Sequence, residues 1–376
     1  MDTVLSHISV HTKVRRLAYV KFIIEAFFER DYYETNFFPA YIEKRYGSEA
    51  YKNSLKSYKK VFKKDDKGEI TDSGKGNSSF PYIRFCDRIS LIYNKNYAYG
   101  LSKYGKIYKV LLEQLRKEGQ NNSNPFILSE FDKFIFLKQI LNFDFLYFIT
   151  LLKTIYLHPN SKVSGTLQES EISTKFPIIK ANFVNILNHL LTNFNNENFS
   201  FKLKKKINGL LKDNKTELSI KNIRKFEGII EPRIGWLIDL DFIDGDLYNS
   251  GKICLTKRGK KCLDIFEKEV DIISFLEKKW IEVYTKIYSI DLINEAKENE
   301  TLIIQYLKES FVEFKTLMPN RVTVSQAINY TCYKLFFKDD LIVEYDEVKK
   351  FIFDNERKIF DIDWFNSEND GSLKLI

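Results

Sequence analysis

The amino-acid sequence predicts a mainly α-helical chain of the α+β class, and three observations lead to this prediction. Apolar side chains recur at helical spacing along most of the 376 residues. Two stretches break this pattern, and each is typical of a pair of short β-strands between helices. The same succession of helix, β-ribbon and hydroxyl-capped helix occurs at both places, which indicates an internal duplication. That succession is typical of a winged helix-turn-helix domain, so we expect tandem winged helices joined by helical segments.

The first winged helix is predicted within the first third of the chain. Its expected elements are helices over residues 13–29, 36–46, 48–62 and 79–89, β-strands over 91–93 and 97–101, and a helix over 103–117. Residues 63–79 form a polar loop without an apolar period. The tip of the β-ribbon is expected at Asn94, Lys95 and Asn96. The wing therefore ends on polar side chains.

The second winged helix is predicted from Pro232 onwards. Proline suits the first turn of a helix, where its missing N–H group costs nothing. Phe242 and Ile243 begin a strand, a turn follows at residues 244–245 or 249–251, and residues 252–256 return as the second strand. Thr256 is expected to cap a helix over residues 257–270. The two copies share the pattern Leu, Ser or Thr, any two residues, Gly, Lys, at residues 101–106 and 255–260.

The remaining segments are predicted to be helical. A polar linker at residues 118–125 marks a domain boundary. Between the two copies, helices are expected over residues 130–156, 164–176, 181–194 and 202–212, and residues 214–231 lead into the second copy. After residue 271 the expected elements are helices over 271–288, 292–316, 322–338 and 344–358, and strands over 359–364 and 372–376. This gives domains at 1–117, 118–270 and 271–376, the last with the order of a third, degenerate winged helix.

Composition limits the classes of partner. The formal net charge of +8 favours an anionic partner, although part of the lysine excess follows the general abundance of Lys, Asn, Tyr, Phe and Ile. The four cysteines are scattered without a CxxC pair, which indicates buried free thiols rather than a zinc site or disulfides. The N-terminus lacks the pattern of a signal peptide, and the apolar runs are too short to span a bilayer. We expect a cytoplasmic protein without a membrane partner, cofactor or metal.

In the order of its parts, the chain resembles the DNA-recognition region of type IIS restriction endonucleases of the FokI kind. The residues that carry the resemblance are Gly235-Trp236-Leu237, Phe242-Ile243 and the repeated Leu-Ser/Thr-x-x-Gly-Lys pattern, and the match covers residues 10–270. The resemblance implies that tandem winged helices read an asymmetric duplex site and that a separate C-terminal nuclease domain cuts nearby.

The chain departs from that family in its C-terminal segment, which is short for such a nuclease. Glu347-Val348-Lys349 matches one element of the family's catalytic motif, but residues 345–353 have a helical rather than a strand period. The four histidines form no cluster, and no catalytic residue is assigned.

A recognition helix presents its N-terminal and outward side chains to base edges in the major groove. In the second copy, Arg233 and Trp236 are expected to face outward. The wing residues Asn96 and Asn249 are expected to touch the minor groove or phosphates. The predicted DNA-binding residues are Asn77, Ser79, Tyr82, Arg84, Arg88, Lys95, Lys103, Lys106, Lys225, Arg233, Lys252, Lys257, Arg258 and Lys260.

These residues lead to a sequence-specific double-stranded DNA-binding protein that lacks its own catalytic domain. We expect it to be the recognition subunit of a restriction-like or phage-defence system, with a nuclease or ATPase supplied by a partner. Three alternatives stay open: a compact metal-dependent endonuclease with a divergent C-terminal site, a plasmid replication initiator or transcription regulator, and a scaffold that never contacts nucleic acid. The second copy is locally acidic, since it carries Glu231, Asp239, Asp241, Asp244 and Asp246, so the first copy is the expected reader of DNA.

Overall fold

The protein is represented by a computed structural model. It describes residues 10–47, 51, 53–54, 68–119, 124–158, 161–162, 183, 186, 220–250, 252–267, 269, 271–291, 300–316, 320–366 and 370–376. The predicted helices over residues 164–176, 202–212 and most of 48–62 and 181–194 lie outside these residues. Within the described residues the fold is mainly helical with small antiparallel sheets, as the sequence predicts.

The chain forms two compact units that are interleaved in sequence. The larger unit comprises residues 3–100 and 122–270, and the smaller unit comprises residues 101–121 and 271–376. This grouping differs from the predicted division at residue 117, because the helix after the first ribbon packs against the C-terminal segment. Lys103 Nζ donates to Ser325 Oγ at 3.0 Å, and Gln114 Nε2 donates to the Tyr330 hydroxyl at 3.2 Å.

The first module of the larger unit is a set of helices around a three-stranded sheet. Its elements are α1 (Ala18–Ala26), β1 (Tyr32–Glu34), α2 (Phe38–Tyr46), α3 (Phe80–Arg88), β2 (Ile92–Lys95) and β3 (Ala98–Leu101), and α4 (Lys103–Lys117) follows. The sheet order is β1-β3-β2, with Tyr33 opposite Tyr99. The core is aromatic: the Tyr19 and Tyr82 rings lie 5.1 Å apart and join α1 to α3.

The tip of the first ribbon is shorter than predicted. β2 ends at Lys95 and β3 begins at Ala98, which leaves only Asn96 and Tyr97 in the turn. Both residues have positive φ, 52° and 59°. Two consecutive residues with positive φ are required by the type I′ turn, whose twist matches that of a β-hairpin. Tyr97 is therefore a turn residue rather than part of the second strand.

The second module of the larger unit has longer helices and shorter strands. Its elements are α5 (Glu130–Leu157), β4 (Ser161–Lys162), α6 (Ile220–Asp239), α7 (Gly245–Asn249), β5 (Lys252–Ile253) and α8 (Lys257–Phe266). β4 pairs with β5, and Ile243 forms an isolated bridge with Leu255. α5 is kinked at Asp144, where φ is −137°.

Three predictions for the second module are wrong. Pro232 does not begin a helix but lies inside α6, which begins at Ile220. The predicted wing turn is the short helix α7, because the Asp244 carboxylate accepts the N–H groups of Asp246 and Leu247 at 2.9 and 3.0 Å and thus caps it. The strand predicted at Phe242 and Ile243 is reduced to one bridge.

The repeated Leu-Ser/Thr-x-x-Gly-Lys pattern has the same local structure in both copies. Ser102 Oγ accepts the Gly105 N–H at 3.1 Å and begins α4, and Thr256 Oγ1 accepts the Gly259 N–H at 3.2 Å and begins α8. At Gly259 a Cβ would lie 2.5 Å from the Phe242 carbonyl oxygen, so only glycine fits. The predicted caps are confirmed.

The smaller unit combines α4 with the C-terminal segment. Its further elements are α9 (Ile272–Lys278), α10 (Trp280–Tyr288), α11 (Glu300–Phe314), β6 (Val322–Thr323), α12 (Val324–Asp339), α13 (Tyr345–Asp354), β7 (Phe360–Phe365) and β8 (Asp370–Leu375). The sheet order is β6-β8-β7. The predicted hairpin is confirmed, but the helix predicted over residues 271–288 is divided into α9 and α10, and residues 322–323, predicted as the start of a helix, form β6 and pair with β8.

One order of strands recurs in the two three-stranded sheets. In the first module and the smaller unit, the elements follow the order helix, strand, helix, helix, β-hairpin. The second strand of each hairpin pairs with the earlier strand, which gives the strand orders β1-β3-β2 and β6-β8-β7. In the second module, β4 pairs with β5 while Ile243 bridges to Leu255 on the other side. The two three-stranded sheets therefore share one strand order, and the two-stranded sheet of the second module has only part of it.

The most apolar helix of the chain belongs to the core. α5 is the one described helix that is long and apolar enough to cross a membrane, but 89% of its most apolar 18-residue stretch is buried inside the structure. By length and composition α5 contradicts the expectation that the apolar runs are too short to span a bilayer, and its burial makes it a core helix of this structure. The cysteines are free: Cys86, Cys262 and Cys332 are buried and Cys254 is half-buried.

Candidate nucleic-acid interface

Helix α3 has a buried and an exposed face. Tyr82, Ile83, Phe85 and Cys86 are buried. The exposed face carries Phe80, Arg84, Asp87 and Arg88, of which three are spaced four residues apart and therefore lie on one stripe of the helix. Phe80 is 42% exposed. An aromatic ring and two guanidinium groups thus point away from the core.

The two arginines of this stripe keep their charges available. Among the residues that the structure describes, neither guanidinium forms an ion pair within 4 Å, and Asp87 is the carboxylate whose charge they both feel. The Arg84 guanidinium lies over the Phe80 ring, 5.7 Å from its centroid, a cation–π arrangement. Burial, and then the charge of Arg84, lower the pKa of Arg88. The stripe is therefore a site of positive potential.

A shallow groove runs beside the arginine stripe. Its lining residues are Val10, His11, Phe80, Pro81, Arg84, Phe85 and Arg88. His11 Nδ1 accepts the N–H of Lys13 at 3.2 Å, and burial together with the charge of Lys13 lowers the pKa of His11. The groove offers cationic and aromatic groups to a ligand.

Four of the residues predicted for the first module are exposed, and two are not. Asn77, Arg84, Arg88 and Lys95 lie at the surface. The prediction that Ser79 and Tyr82 face outward is wrong. Ser79 Oγ donates to the Pro39 carbonyl at 2.7 Å, and the Tyr82 hydroxyl donates to the Gly68 carbonyl at 2.7 Å and accepts the N–H groups of Arg15 and Arg16 at 3.2 Å. Both side chains fix the segment before α3 instead.

The carboxylate of Glu43 holds the loop that leads into α3, and sequence reasoning missed it. It accepts hydrogen bonds from Ser73 Oγ at 2.7 Å, the Gly76 N–H at 2.9 Å, and the N–H and hydroxyl of Ser78 at 2.7 and 2.6 Å. Burial alone would raise the pKa of Glu43, but these hydrogen bonds lower it to about 2. The loop enters α3 in a fixed conformation.

The wing tip presents a second aromatic side chain that was not among the predicted site residues. Tyr97 is 87% exposed. Its carbonyl accepts the N–H of Thr35 at 2.9 Å, which ties the turn to the end of β1. Between the tip and α3 lies a concave surface whose lining residues are Thr35, Asn36, Phe80, Asn94, Lys95, Asn96, Tyr97 and Tyr99.

The second module keeps its two predicted helix residues inside. Arg233 is fully buried and forms a bidentate ion pair with Asp144. Trp236 is fully buried as well: its Nε1–H donates to the Val14 carbonyl at 2.8 Å, and its ring lies 4.7 Å from that of Phe85. The prediction that these two residues face outward is wrong, because their partners lie far away in sequence.

The remaining cations of the second module differ in their availability. Lys252, Lys257 and Lys260 are exposed. Arg258 Nη1 bonds Asp241 Oδ2 at 2.6 Å. The side chain of Lys225 lies outside the described residues, as does that of Asn249. Three exposed lysines are therefore available near the start of α8 and on β5.

Three of the five acidic residues of the second module, Glu231, Asp239 and Asp241, have partners within the larger unit. Arg15 bonds Glu231, the Leu17 N–H donates to Asp239 Oδ2 at 2.7 Å, and Lys133 Nζ lies 2.7 Å from Asp241 Oδ2. Glu231 and Asp239 join residues 15–17 to α6. Asp241 joins α5 to the segment that follows α6. The negative charge of these three carboxylates is largely compensated inside the protein.

The smaller unit contains two predicted lysines and a different helix surface. Lys103 is engaged by Ser325 and by Asp370, whose Oδ2 lies 3.5 Å from its Nζ, whereas Lys106 is exposed. The exposed residues of α13, which occupies the place of α3 in this copy, are Asp346, Glu347, Lys350 and Asp354. This helix surface is acidic where that of α3 is basic.

The residues weighed as a divergent nuclease motif have structural roles. Glu347 Oε2 accepts the Glu344 N–H at 3.1 Å and completes a capping box at the start of α13. Lys349 Nζ lies 4.3 Å from the centroid of the Trp364 ring. No group of three His, Cys, Asp or Glu side chains within the described part of the chain is arranged to hold a metal ion.

Comparisons with protein-family models, with curated proteins and with solved structures give no match to this chain. The case for a function therefore depends on the chain's own residues and their geometry.

Proposed function

We propose that this protein binds double-stranded DNA in a sequence-specific manner and that the first module is its principal reader. The order of elements α1-β1-α2-α3-β2-β3, with sheet order β1-β3-β2, supports a winged helix in which α3 is the recognition helix. A recognition helix of this kind enters the major groove, which accommodates one α-helix.

The observation that carries the proposal is the outward pair Arg84 and Arg88 on α3, with Lys95 exposed on the wing beside it. Arginine reads guanine edges by bidentate hydrogen bonds, and cations on the flanking wing neutralise phosphates. The second module buries the corresponding Arg233, and the smaller unit presents an acidic helix. Of the three copies, the first one has the surface that suits DNA.

The biological role proposed for this activity is that of a recognition subunit in a restriction-like or phage-defence system in the cytoplasm. A nuclease or ATPase partner would supply the catalytic step. Support for this role comes from the resemblance of residues 10–270 to the recognition region of FokI-like enzymes. The residues Glu347 and Lys349 have structural partners, which favours an effector supplied by a partner over a nuclease site in α13.

DNA binding across a salt series, with a random duplex pool for site selection, tests the proposal. We expect an enriched motif, and an affinity that falls steeply as salt rises because bound cations release counterions. Arg84→Ala should relax specificity and weaken binding to the selected site by about 1–3 kcal/mol. The matched control is Arg45→Ala, since Arg45 is an arginine of the same module that is paired with Glu29. Absence of binding to duplex DNA at low salt would refute the proposed function.

A further inference from the structure

The concave surface between α3 and the wing tip has the chemistry of a site for a planar, polar ring. It is an open depression with a volume of about 550 Å³. Two of its lining side chains are exposed aromatic rings, Phe80 and Tyr97. Among the described residues, neither ring contacts another aromatic ring; the Arg84 guanidinium lies 5.7 Å from the centroid of the Phe80 ring, and the Tyr97 ring has no such neighbour.

The polar lining is made of side-chain amides. Asn36 and Asn96 are exposed, and in the described part of the chain neither amide forms a hydrogen bond. Asn94 differs, because its side chain bonds the hydroxyl of Tyr99. An amide offers a donor and an acceptor in one plane, which is the arrangement that pairs with the edge of a nucleobase. Lys95 is the one charged lining residue, and its cation suits a neighbouring phosphate.

The backbone at Tyr97 is a further sign that this ring is placed for binding. A non-glycine residue with φ near +59° carries a conformational cost that glycine or asparagine would largely avoid. The ring gains no packing in return, since 87% of the side chain is exposed. The positive φ serves the type I′ turn, but the exposed ring adds no packing to that turn, so the ring is available for a ligand contact.

We propose that this surface binds one unpaired nucleobase of the DNA, stacked on Tyr97 and Phe80 and hydrogen-bonded at its edge by Asn36 and Asn96. The inference rests on the proposed function, because the arginine stripe on the other side of Phe80 holds the duplex next to this site. Stacking on aromatic side chains is the usual way in which proteins bind bases that are free of their complement. The module would then distinguish DNA with an extrahelical base or an overhang from fully paired duplex.

The test uses the full chain and two duplexes that share the same 2-aminopurine strand. In one the 2-aminopurine lies opposite thymine, and in the other the complementary strand lacks that thymine, so the 2-aminopurine is a single unpaired bulge. We expect tighter binding to the bulged duplex and a change of 2-aminopurine fluorescence on binding that the paired duplex does not show. Since a stacked base contributes about 5- to 150-fold in affinity, Tyr97→Gly should remove most of this preference.

The variants distinguish the contribution of the Tyr97 ring to binding from its contribution to the stability of the turn. Tyr97→Gly keeps a residue that favours positive φ, so the turn is preserved while the ring is lost. Tyr97→Phe keeps the ring and should retain the preference for the bulge. Tyr156→Ala is the matched control, because Tyr156 is an exposed tyrosine of the same unit on α5, 49% exposed. Thermal unfolding of each variant verifies that it is folded.

The outcomes distinguish the inference from the function on which it rests. Equal affinity for paired and bulged duplex, with both weakened by Arg84→Ala, would overturn the base site and leave duplex recognition standing. Failure to bind either duplex would overturn the proposed function and this inference together. A bulge preference that survives Tyr97→Gly unchanged would also overturn the assignment of this surface.

Discussion

Arg233 and Asp144 form a bidentate ion pair in which both side chains are fully buried, with Nε–Oδ2 and Nη2–Oδ1 distances of 2.6 Å. The pair joins α6 to the kink of α5, and the guanidinium lies between the rings of Tyr147 and Trp236, 5.0 and 5.3 Å from their centroids. A buried charge is tolerated only with such a partner, because desolvation of an isolated ion is very unfavourable.

Removal of one member of this pair is expected to be strongly destabilising. Arg233→Met leaves the Asp144 carboxylate buried without its partner, so we expect the free energy of unfolding to fall by about 3–5 kcal/mol. The double variant Arg233→Met with Asp144→Leu is the matched control, because it replaces both charges by apolar groups and should recover most of the loss. Urea unfolding measures the difference. A double variant that is as unstable as the single one would contradict this account.

Glu43 is expected to make the first module sensitive to acid. Its pKa in the folded protein is about 2, below the ordinary value of 4.5, so its hydrogen bonds stabilise the fold above pH 4.5. This stabilisation, about 3 kcal/mol, is lost as the pH falls from 4.5 towards 2.

The Glu43→Gln variant tests this dependence. It should be less stable than the wild type at pH 7 and should lose less further stability between pH 4.5 and 2, as thermal unfolding across that range would show. Glu34→Gln, which alters an exposed carboxylate on β1, serves as the control and should follow the wild-type curve. Parallel curves for the wild type and Glu43→Gln would show that Glu43 is not the responsible group.

Gly235 allows α6 to approach the segment before α1. A Cβ at this position would lie 2.1 Å from the Arg15 carbonyl oxygen, and backbone cannot yield as a flexible side chain would. Replacement of a helical glycine by alanine ordinarily stabilises a helix by about 0.5–1 kcal/mol. Here Gly235→Ala should instead destabilise the protein by about 1–3 kcal/mol or more, through overpacking. A raised melting temperature in this variant would disprove the close approach.

Tyr97→Gly is expected to stabilise the protein while it abolishes the proposed base contact. Asparagine followed by glycine is the preferred sequence of a type I′ turn, and the substitution places glycine after Asn96. Relief of the left-handed conformation should add about 1 kcal/mol to the free energy of unfolding. Chemical denaturation of the wild type, Tyr97→Gly and Tyr97→Phe gives the comparison, in which Tyr97→Phe should match the wild type. Loss of stability in Tyr97→Gly would mean that the ring supports the fold.

Local signals in the sequence predicted local structure well. The caps at Ser102 and Thr256 depend on residues three positions apart, so a short pattern was sufficient to predict both helix starts. The hairpin of β7 and β8 and the helices before it were likewise readable from apolar periods. Arg84 and Arg88 were correctly expected to be exposed because the apolar positions of α3 define its buried face.

Long-range partners account for the predictions that failed. Tyr82 bonds the Gly68 carbonyl 14 positions away, and Arg233 bonds Asp144 89 positions away. Periodicity does not reveal such partners, so the buried positions of Tyr82 and Arg233 cannot be predicted from the sequence of their helices alone. The role of Glu43 could not be predicted for the same reason. Its hydrogen bonds come from Ser73 and Ser78, which lie 30 and 35 positions away in the sequence.

The interleaving of the two units constrains the order in which the chain can complete its fold during synthesis. α4 is made early, but its apolar residues Ile107, Leu111 and Leu115 are buried in a unit whose other residues begin at 271. About 150 further residues must therefore leave the ribosome before α4 can be covered. Those intervening residues, 122–270, belong to the core of the larger unit. A fragment that stops at residue 117 would carry α4 without its cover and would be prone to aggregate.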